Sequence, residues 1–299
     1  MRIGCRLLTI LLVLGSLAPS SARAQEAPKG HLFIVGGGSR PPGLMKRFVE
    51  LAGGPGARIV VVPMASSTPK ETGRAQAREL RGLGAEASPL VLTHDQASDP
   101  ATARRLDGAG GIWFSGGDQL RLAAVLVGTP TLEAIERLYR DGAVVGGTSA
   151  GAAVMSDPMI TGSQIRAGDD TVGYYGDTFE RIARGYIDLE PGFGLLRGAF
   201  VDQHFIVRER HNRLLSAVLD HPERIGIGID ESTVLEVDPD GMWRIRGQSA
   251  AVVYDARHAE ITPPDAPVLG AAGLRVQILP AGSTYDPASG RATLPASGG

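Results

Sequence analysis

The 299-residue chain carries 30 basic and 32 acidic side chains, a formal net charge of -2, 43% hydrophobic residues and one cysteine. Charge this evenly balanced provides no field to attract nucleic acid or an anionic membrane. The lone Cys5 leaves the body of the chain without a disulfide, a cysteine nucleophile or a thiolate metal site, so a soluble globular enzyme or binding protein is expected.

The first segment has Arg2 and Arg6, an apolar run from Leu7 to Leu17, and Ala22-Arg23-Ala24 ahead of Gln25. A short basic region, an apolar stretch too short to span a bilayer and a small-x-small site predict a secretory signal over 1–24, which also contains Cys5. The expected mature protein is a single α/β domain over 25–299, periplasmic or secreted, with no membrane association after cleavage.

Five apolar runs rich in Val and Ile follow, at 31–35, 58–63, 89–92, 111–117 and 143–147, each leading through a turn into a helical pattern. Continuous apolar strands alternating with amphipathic helices predict a mostly parallel, doubly wound sheet with helices on both faces. Thr129-Pro130 opens one helix, Leu132, Ile135, Leu138 and Tyr139 keep its spacing, and Gly142 closes it. Beyond Ile229 the pattern changes. Two strands flank the turn Asp238-Pro239-Asp240-Gly241, and AAVVYDA and LRVQIL form a further pair. This tail is expected to complete the same sheet in antiparallel fashion, with a loose end after Pro287.

The sharpest motif is Gly147-Thr148-Ser149-Ala150-Gly151, between a strand and a small-residue helix. In that setting GxSxG lifts a serine hydroxyl onto a strained turn above the sheet, and the helix start offers N–H groups to an oxyanion. Without the chemistry it would be a tight turn with a capping serine. Ser149 is therefore the candidate nucleophile, with Ala150 and the strand-ending Gly117 as oxyanion donors; Gly117 by itself reads equally well as a plain turn.

Six histidines compete as base, and only His94 and His204 fall at C-terminal strand ends; His204 is favoured by the polar residues around it. Asp230 or Glu231 would orient it, since neighbours on a strand face opposite ways and only one can reach. Arg210 lies on the apolar stripe of the predicted helix after His204, aimed inward at a substrate carboxylate or a structural partner such as Glu209 or Asp220. Gly36-Gly37-Gly38 lacks the spacing of a nucleotide loop and reads as a sheet-end turn. No metal or cofactor constellation is evident.

Together, Gly36-Gly37-Gly38, Gly116-Gly117-Asp118-Gln119, the GTSAGA run at 147–152, PGFGLL at 191–196, Asp202-Gln203-His204-Phe205 and the stretch 226–231 resemble the cyanophycinase and dipeptidase E group of serine peptidases, whose fold is similar to class I glutamine amidotransferases. The arginine series after His204 looks like the cyanophycinase branch. The resemblance implies Ser149 as nucleophile, His204 as base and Glu231 as orienting acid, with Gln119, Asp202, Gln203, Arg208, Arg210 and Arg213 binding substrate. It further implies an exported exopeptidase that takes a peptide or polymer rich in Asp and Arg, namely cyanophycin, and releases β-Asp-Arg dipeptides. An aspartyl or isoaspartyl dipeptidase and a non-catalytic periplasmic binding module are the alternatives, and a homodimer is compatible with either. Specificity loops are expected between Gly162 and Glu190.

Overall fold

The computed structural model describes residues 27–165, 172–173, 179–266 and 268–296. The predicted signal segment and Cys5 lie outside the described residues, as do 166–171 and 174–178 of the expected specificity region. Among the described residues no helix is long and apolar enough to cross a membrane.

The elements run β1 (Leu32–Val35), α1 (Pro42–Leu51), β2 (Arg58–Val62), α2 (Pro69–Gly82), β3 (Glu86–Pro89), α3 (His94–Ala97), α4 (Pro100–Ala103), β4 (Gly111–Phe114), α5 (Gln119–Leu126), α6 (Pro130–Asp141), β5 (Val144–Thr148) and α7 (Ala150–Ala153). A small three-stranded sheet follows, of β6 (Met159–Ile165), β7 (Val172–Gly173) and β8 (Ile187–Glu190). Then come β9 (Ala199–Gln203), α8 (His211–Asp220), β10 (Ile225–Ile229), β11 (Thr233–Val237), β12 (Trp243–Gly247), β13 (Ala250–Asp255), β14 (Glu260–Ile261), β15 (Ala271–Ala272), β16 (Arg275–Pro280), β17 (Thr284–Asp286) and β18 (Arg291–Thr293).

A nine-stranded sheet has the order β18-β17-β12-β11-β1-β5-β4-β2-β3, and the five strands from β1 to β3 in that order pair in parallel. Alternate side chains go to opposite faces. Phe33, Val35, Ile59, Val61 and Trp113 pack against Met45, Phe48 and Leu80 of α1 and α2. Leu32, Ile34, Val60, Val62, Ile112 and Phe114 pack against α5, α6 and α7 through Leu122, Leu126, Ile135 and Ala152. Helices thus cover both faces, as the uninterrupted apolar strands predict. Helix α6 starts and stops where the sequence indicates: Thr129 Oγ1 accepts the N–H of Leu132, and Gly142 takes φ 123.

Three expectations are corrected. The third strand is 86–89 and not 89–92, because it forms the sheet edge: Glu86 and Ser88 face out, Ala87 faces in, and Pro89 is tolerated at an edge. Leu90 and Leu92 enter the core from the connection that follows. The antiparallel tail, in turn, does not complete one sheet. β11, β12, β17 and β18 extend the large sheet, whereas β13 and β16 join β10 and β9 in a separate four-stranded sheet. Nor is the end loose, since β18 pairs with β17 beyond Pro287. One face of the second sheet carries α8 through Phe200, Leu214, Val218 and Val252. Its other face, through Val201, Ile227, Ile229 and Val253, shares the core of the large sheet. The chain crosses between the sheets at 230–232 and returns after Gly247, whose φ of 118 places its α-carbon where a side chain would strike the Ser232 carbonyl.

Candidate active site

Ser149 follows β5 directly, at φ 54 and ψ -112, and caps the single turn of α7. The turn requires both flanking glycines. A Cβ at Gly147 would fall on the Gly151 carbonyl, and one at Gly151 would lie 2.6 Å from the carbonyl oxygen of Phe114 at the end of β4. The Ser149 N–H donates to Val35 O at 3.0 Å, which ties the turn to β1, while its carbonyl accepts from Ala152 and Ala153. A left-handed non-glycine residue costs about 1–2 kcal/mol, so neighbouring strands must hold this conformation.

Parallel β9 and β10 bring the other two groups. His204 leaves β9 at φ 49, its N–H donating to Gly36 O at 2.6 Å. Its Nε2 lies 2.9 Å from Ser149 Oγ and its Nδ1 lies 2.6 Å from Glu231 Oε1. Glu231 stands on the crossing between the sheets, so the choice between the adjacent acids falls to Glu231; Asp230 faces away and accepts the N–H groups of Ile206 and Val207. Burial is the main cause that lowers the His204 pKa below the ordinary 6.5; the Glu231 hydrogen bond opposes it, and the charges of Arg208 and Arg210 add to the lowering. The imidazole is therefore neutral near pH 7 and able to accept a proton.

The glycine turn after β1 proves to be part of this arrangement. A Cβ at Gly37 would fall on the His204 ring, and one at Gly38 would come 2.8 Å from Glu231. Gly117, at φ 139, packs against the Ala65 carbonyl where no side chain fits, and its N–H makes no backbone hydrogen bond among the described residues. Ala150 begins α7, so its N–H has no partner within the helix.

The family model for peptidase family S51 matches residues 32–245, which contain all three groups. The chain belongs to peptidase family S51. It is 35% identical over 272 residues to a cyanophycinase of Synechococcus elongatus, covering 86% of this chain and 79% of that protein. A cyanophycinase of Trichormus variabilis is 34% identical over 275 residues, covering 88% of this chain and 87% of its own. The solved structure of a peptidase from an acI-B1 Actinobacterium superposes with a TM-score of 0.63 at 24% identity, over 88% of this chain and 98% of that one, and shares the fold. This S51 chain is thus a peptidase, of the serine type that fits the family.

The polar residues around Ser149, His204 and Glu231 pair mostly with one another and with the backbone. Arg213 Nε donates to Asp202 Oδ2 at 2.7 Å and its Nη2 to Oδ1, a bidentate pair within the protein. Arg210 Nη1 donates to both the carbonyl and the side-chain oxygen of Gln203, each at 2.7 Å. Arg210 also precedes α8 instead of lying within it. Among the described residues it meets Gln203 and, at 3.9 Å, Asp202, where Glu209 or Asp220 was expected. Gln119 donates to the carbonyls of Ile160 and Thr161, anchoring β6 beside the site. Asp202, Gln203, Arg210, Arg213 and Gln119, the residues expected to bind substrate, are all buried, and each has a partner within the protein. Among the three arginines only Arg208 is exposed; its N–H donates to the His204 carbonyl at 3.0 Å. Residue type and spacing identify such a cluster but not the direction of each guanidinium.

Neither of two other features of this peptidase coincides with Ser149, His204 and Glu231. A cavity of about 890 Å³, lined by Leu32, Tyr139, Phe193, Arg197, Arg224 and Trp243 among others, opens where β1 and β10 begin, at the opposite end of those strands. His31, Glu236 and Asp238 place ligand atoms within 4.8 Å of one another and are the one such group among the described residues. Arg47 and Arg246 bind Glu236, and Arg244 binds Asp238, so guanidinium groups already supply the positive charge there.

Proposed function

We propose that this S51 peptidase is an exported cyanophycinase, which cleaves multi-L-arginyl-poly-L-aspartate to β-Asp-Arg dipeptides through an acyl-enzyme on Ser149. The reading rests chiefly on one observation, the continuous chain of contacts from Ser149 Oγ through His204 to Glu231 at 2.9 and 2.6 Å. The names of the 34–35% identical relatives support the substrate.

In the proposed sequence His204 Nε2 takes the Ser149 hydroxyl proton while Oγ attacks the scissile carbonyl carbon. The N–H groups of Gly117 and Ala150 bind the resulting oxyanion. His204 then returns its proton to the leaving nitrogen, the C–N bond breaks and the acyl-enzyme remains. Water, deprotonated by His204, attacks the ester, and Ser149 recovers its proton as the product leaves. Glu231 accepts the Nδ1–H throughout. In this reading the exposed Arg208 meets a substrate carboxylate, beside the buried Asp202–Arg213 pair. Export rests on the sequence of 1–24 alone.

The test is release of soluble β-Asp-Arg from insoluble cyanophycin by the mature protein and by Ser149→Ala. Wild-type release with activity of the variant lowered by about 10⁶-fold is expected for loss of a serine nucleophile. Turnover of short aspartyl or isoaspartyl dipeptides without polymer release would transfer the assignment to a dipeptidase. Neither turnover nor labelling of Ser149 by a fluorophosphonate would leave a binding module.

A further inference from the structure

His204 has to hold a left-handed backbone and present both ring nitrogens, yet it sits at the head of an exposed reversal, with residues 206–209 facing solvent. The reversal is nearly a turn of helix: Arg208 N–H donates to His204 O, Glu209 N–H to Ile206 O and Arg210 N–H to Phe205 O. Such a turn leaves its first N–H groups without internal acceptors. Here those groups belong to Ile206 and Val207, and the same carboxylate oxygen, Oδ1 of Asp230, accepts both at 3.1 Å. The other oxygen accepts the Ser249 hydroxyl at 2.7 Å, from the connection between β12 and β13. Asp230 is 4% exposed, so water does not compete for these bonds.

We propose that Asp230 is a positioning residue for the His204 base: a side-chain cap delivered from the neighbouring strand that locks the reversal and so aims the imidazole at Ser149. The two consecutive acids thus have separate tasks. Glu231 grips the ring at Nδ1, and Asp230 grips the backbone two and three residues further on. The acceptor geometry matters here and the charge does not, because both N–H groups converge on one oxygen, which an asparagine also provides. Ser249 in turn keeps the carboxylate from rotating. This inference rests on the catalytic reading of Ser149, His204 and Glu231.

The experiment compares wild type, Asp230→Ala, Asp230→Asn and Ser249→Ala by the rate at which a fluorophosphonate labels Ser149, by the kcat and KM of hydrolysis, and by the low-field proton resonance of the His204 Nδ1–H. Displacing the base by an ångström costs on the order of 10²-fold, so Asp230→Ala is expected to lose about that much in labelling rate and kcat, with KM held and the resonance lost. Asp230→Asn restores the rate to within a few fold and the resonance with it, while Ser249→Ala falls between. An Asp230→Ala protein that is labelled at the wild-type rate with its resonance intact overturns the inference. So does an Asp230→Asn protein as slow as the alanine variant. Should Asp230→Ala fail to fold by circular dichroism, the other two variants decide: the inference stands if Ser249→Ala loses rate and Asp230→Asn keeps it, and falls otherwise. Failure of the wild type to label is a different result, which removes the catalytic reading itself.

Discussion

Two buried carboxylates in this molecule each lie between two arginines, and the surroundings make them different objects. Glu236 accepts from Arg47 and Arg246, whose side chains keep 35% and 39% of their surface in solvent. Asp202 faces Arg213 and Arg210, whose side chains are only 3% and 5% exposed. At Glu236 burial would raise the carboxyl pKa, but the two arginine hydrogen bonds outweigh it and hold it below the ordinary value. At Asp202 the carboxylate pairs with guanidiniums that have almost no water, and Arg210 is among the charges that push His204 toward its neutral form. The same residue types build a brace in one place and an electrostatic setting for His204 in the other. Solvent behind the guanidinium makes the difference, since charge unscreened by water acts over longer distances.

The sharpest way to break the comparison is to remove each acid. Asp202→Ala removes the bidentate partner of the buried Arg213 and is expected to lose about 3–5 kcal/mol in urea denaturation. Glu236→Ala leaves its arginines able to rehydrate and should lose only about 1–3 kcal/mol. The activity of the folded fraction, counted by Ser149 labelling, should fall with Asp202→Ala alone. Equal stability losses, or equal activities, would mean that solvation does not distinguish the clusters.

A smaller effect concerns pH. The acid limb of kcat/KM should reflect His204 and lie below pH 6.5, because the enzyme needs the neutral imidazole. Arg208 disfavours the imidazolium, so Arg208→Gln raises the His204 pKa and moves the limb to higher pH. Arg244→Gln, beside Asp238, leaves the limb in place. A limb unmoved by Arg208→Gln would show that solvent screens that exposed charge completely. The smallest change is expected from Arg246→Gln, about 1 kcal/mol or less of stability, with kcat and KM unchanged, since Arg47 still holds Glu236.

Much of this was legible in the sequence where local chemistry decides. The Thr129 cap, the Gly142 stop and the Asp238 to Gly241 turn fix their elements from within a few residues, and each is found in place. The GxSxG turn was legible for the same reason, because its glycines answer to contacts that recur wherever a strand turns sharply into a helix. Matters settled by distant partners were not. Glu86 to Pro89 reads as a poor strand until it is known to lie at an edge, and nothing in 233–293 says that alternate hairpins go to different sheets. Asp202 and Arg213, eleven residues apart, could be read as a pair of substrate contacts; only the register of β9 against α8 turns them toward each other. Gly37 gave a weaker hint, a glycine beyond what a strand-ending turn requires, and its reason is a histidine ring supplied from far along the chain.

On the proposed reading, the nucleophile comes from the nine-stranded sheet, the base from the four-stranded sheet and the acid from the short bridge where the chain passes between them. The three atoms are therefore aligned only when the two layers are in register, which makes the catalytic site a vernier for their relative sliding. A slip of about 1 Å, too small to open the shared core, would already cost on the order of 10²-fold in rate. Hydrolysis should consequently fail before unfolding begins, and turnover reports the docking of the layers more finely than any measure of global stability.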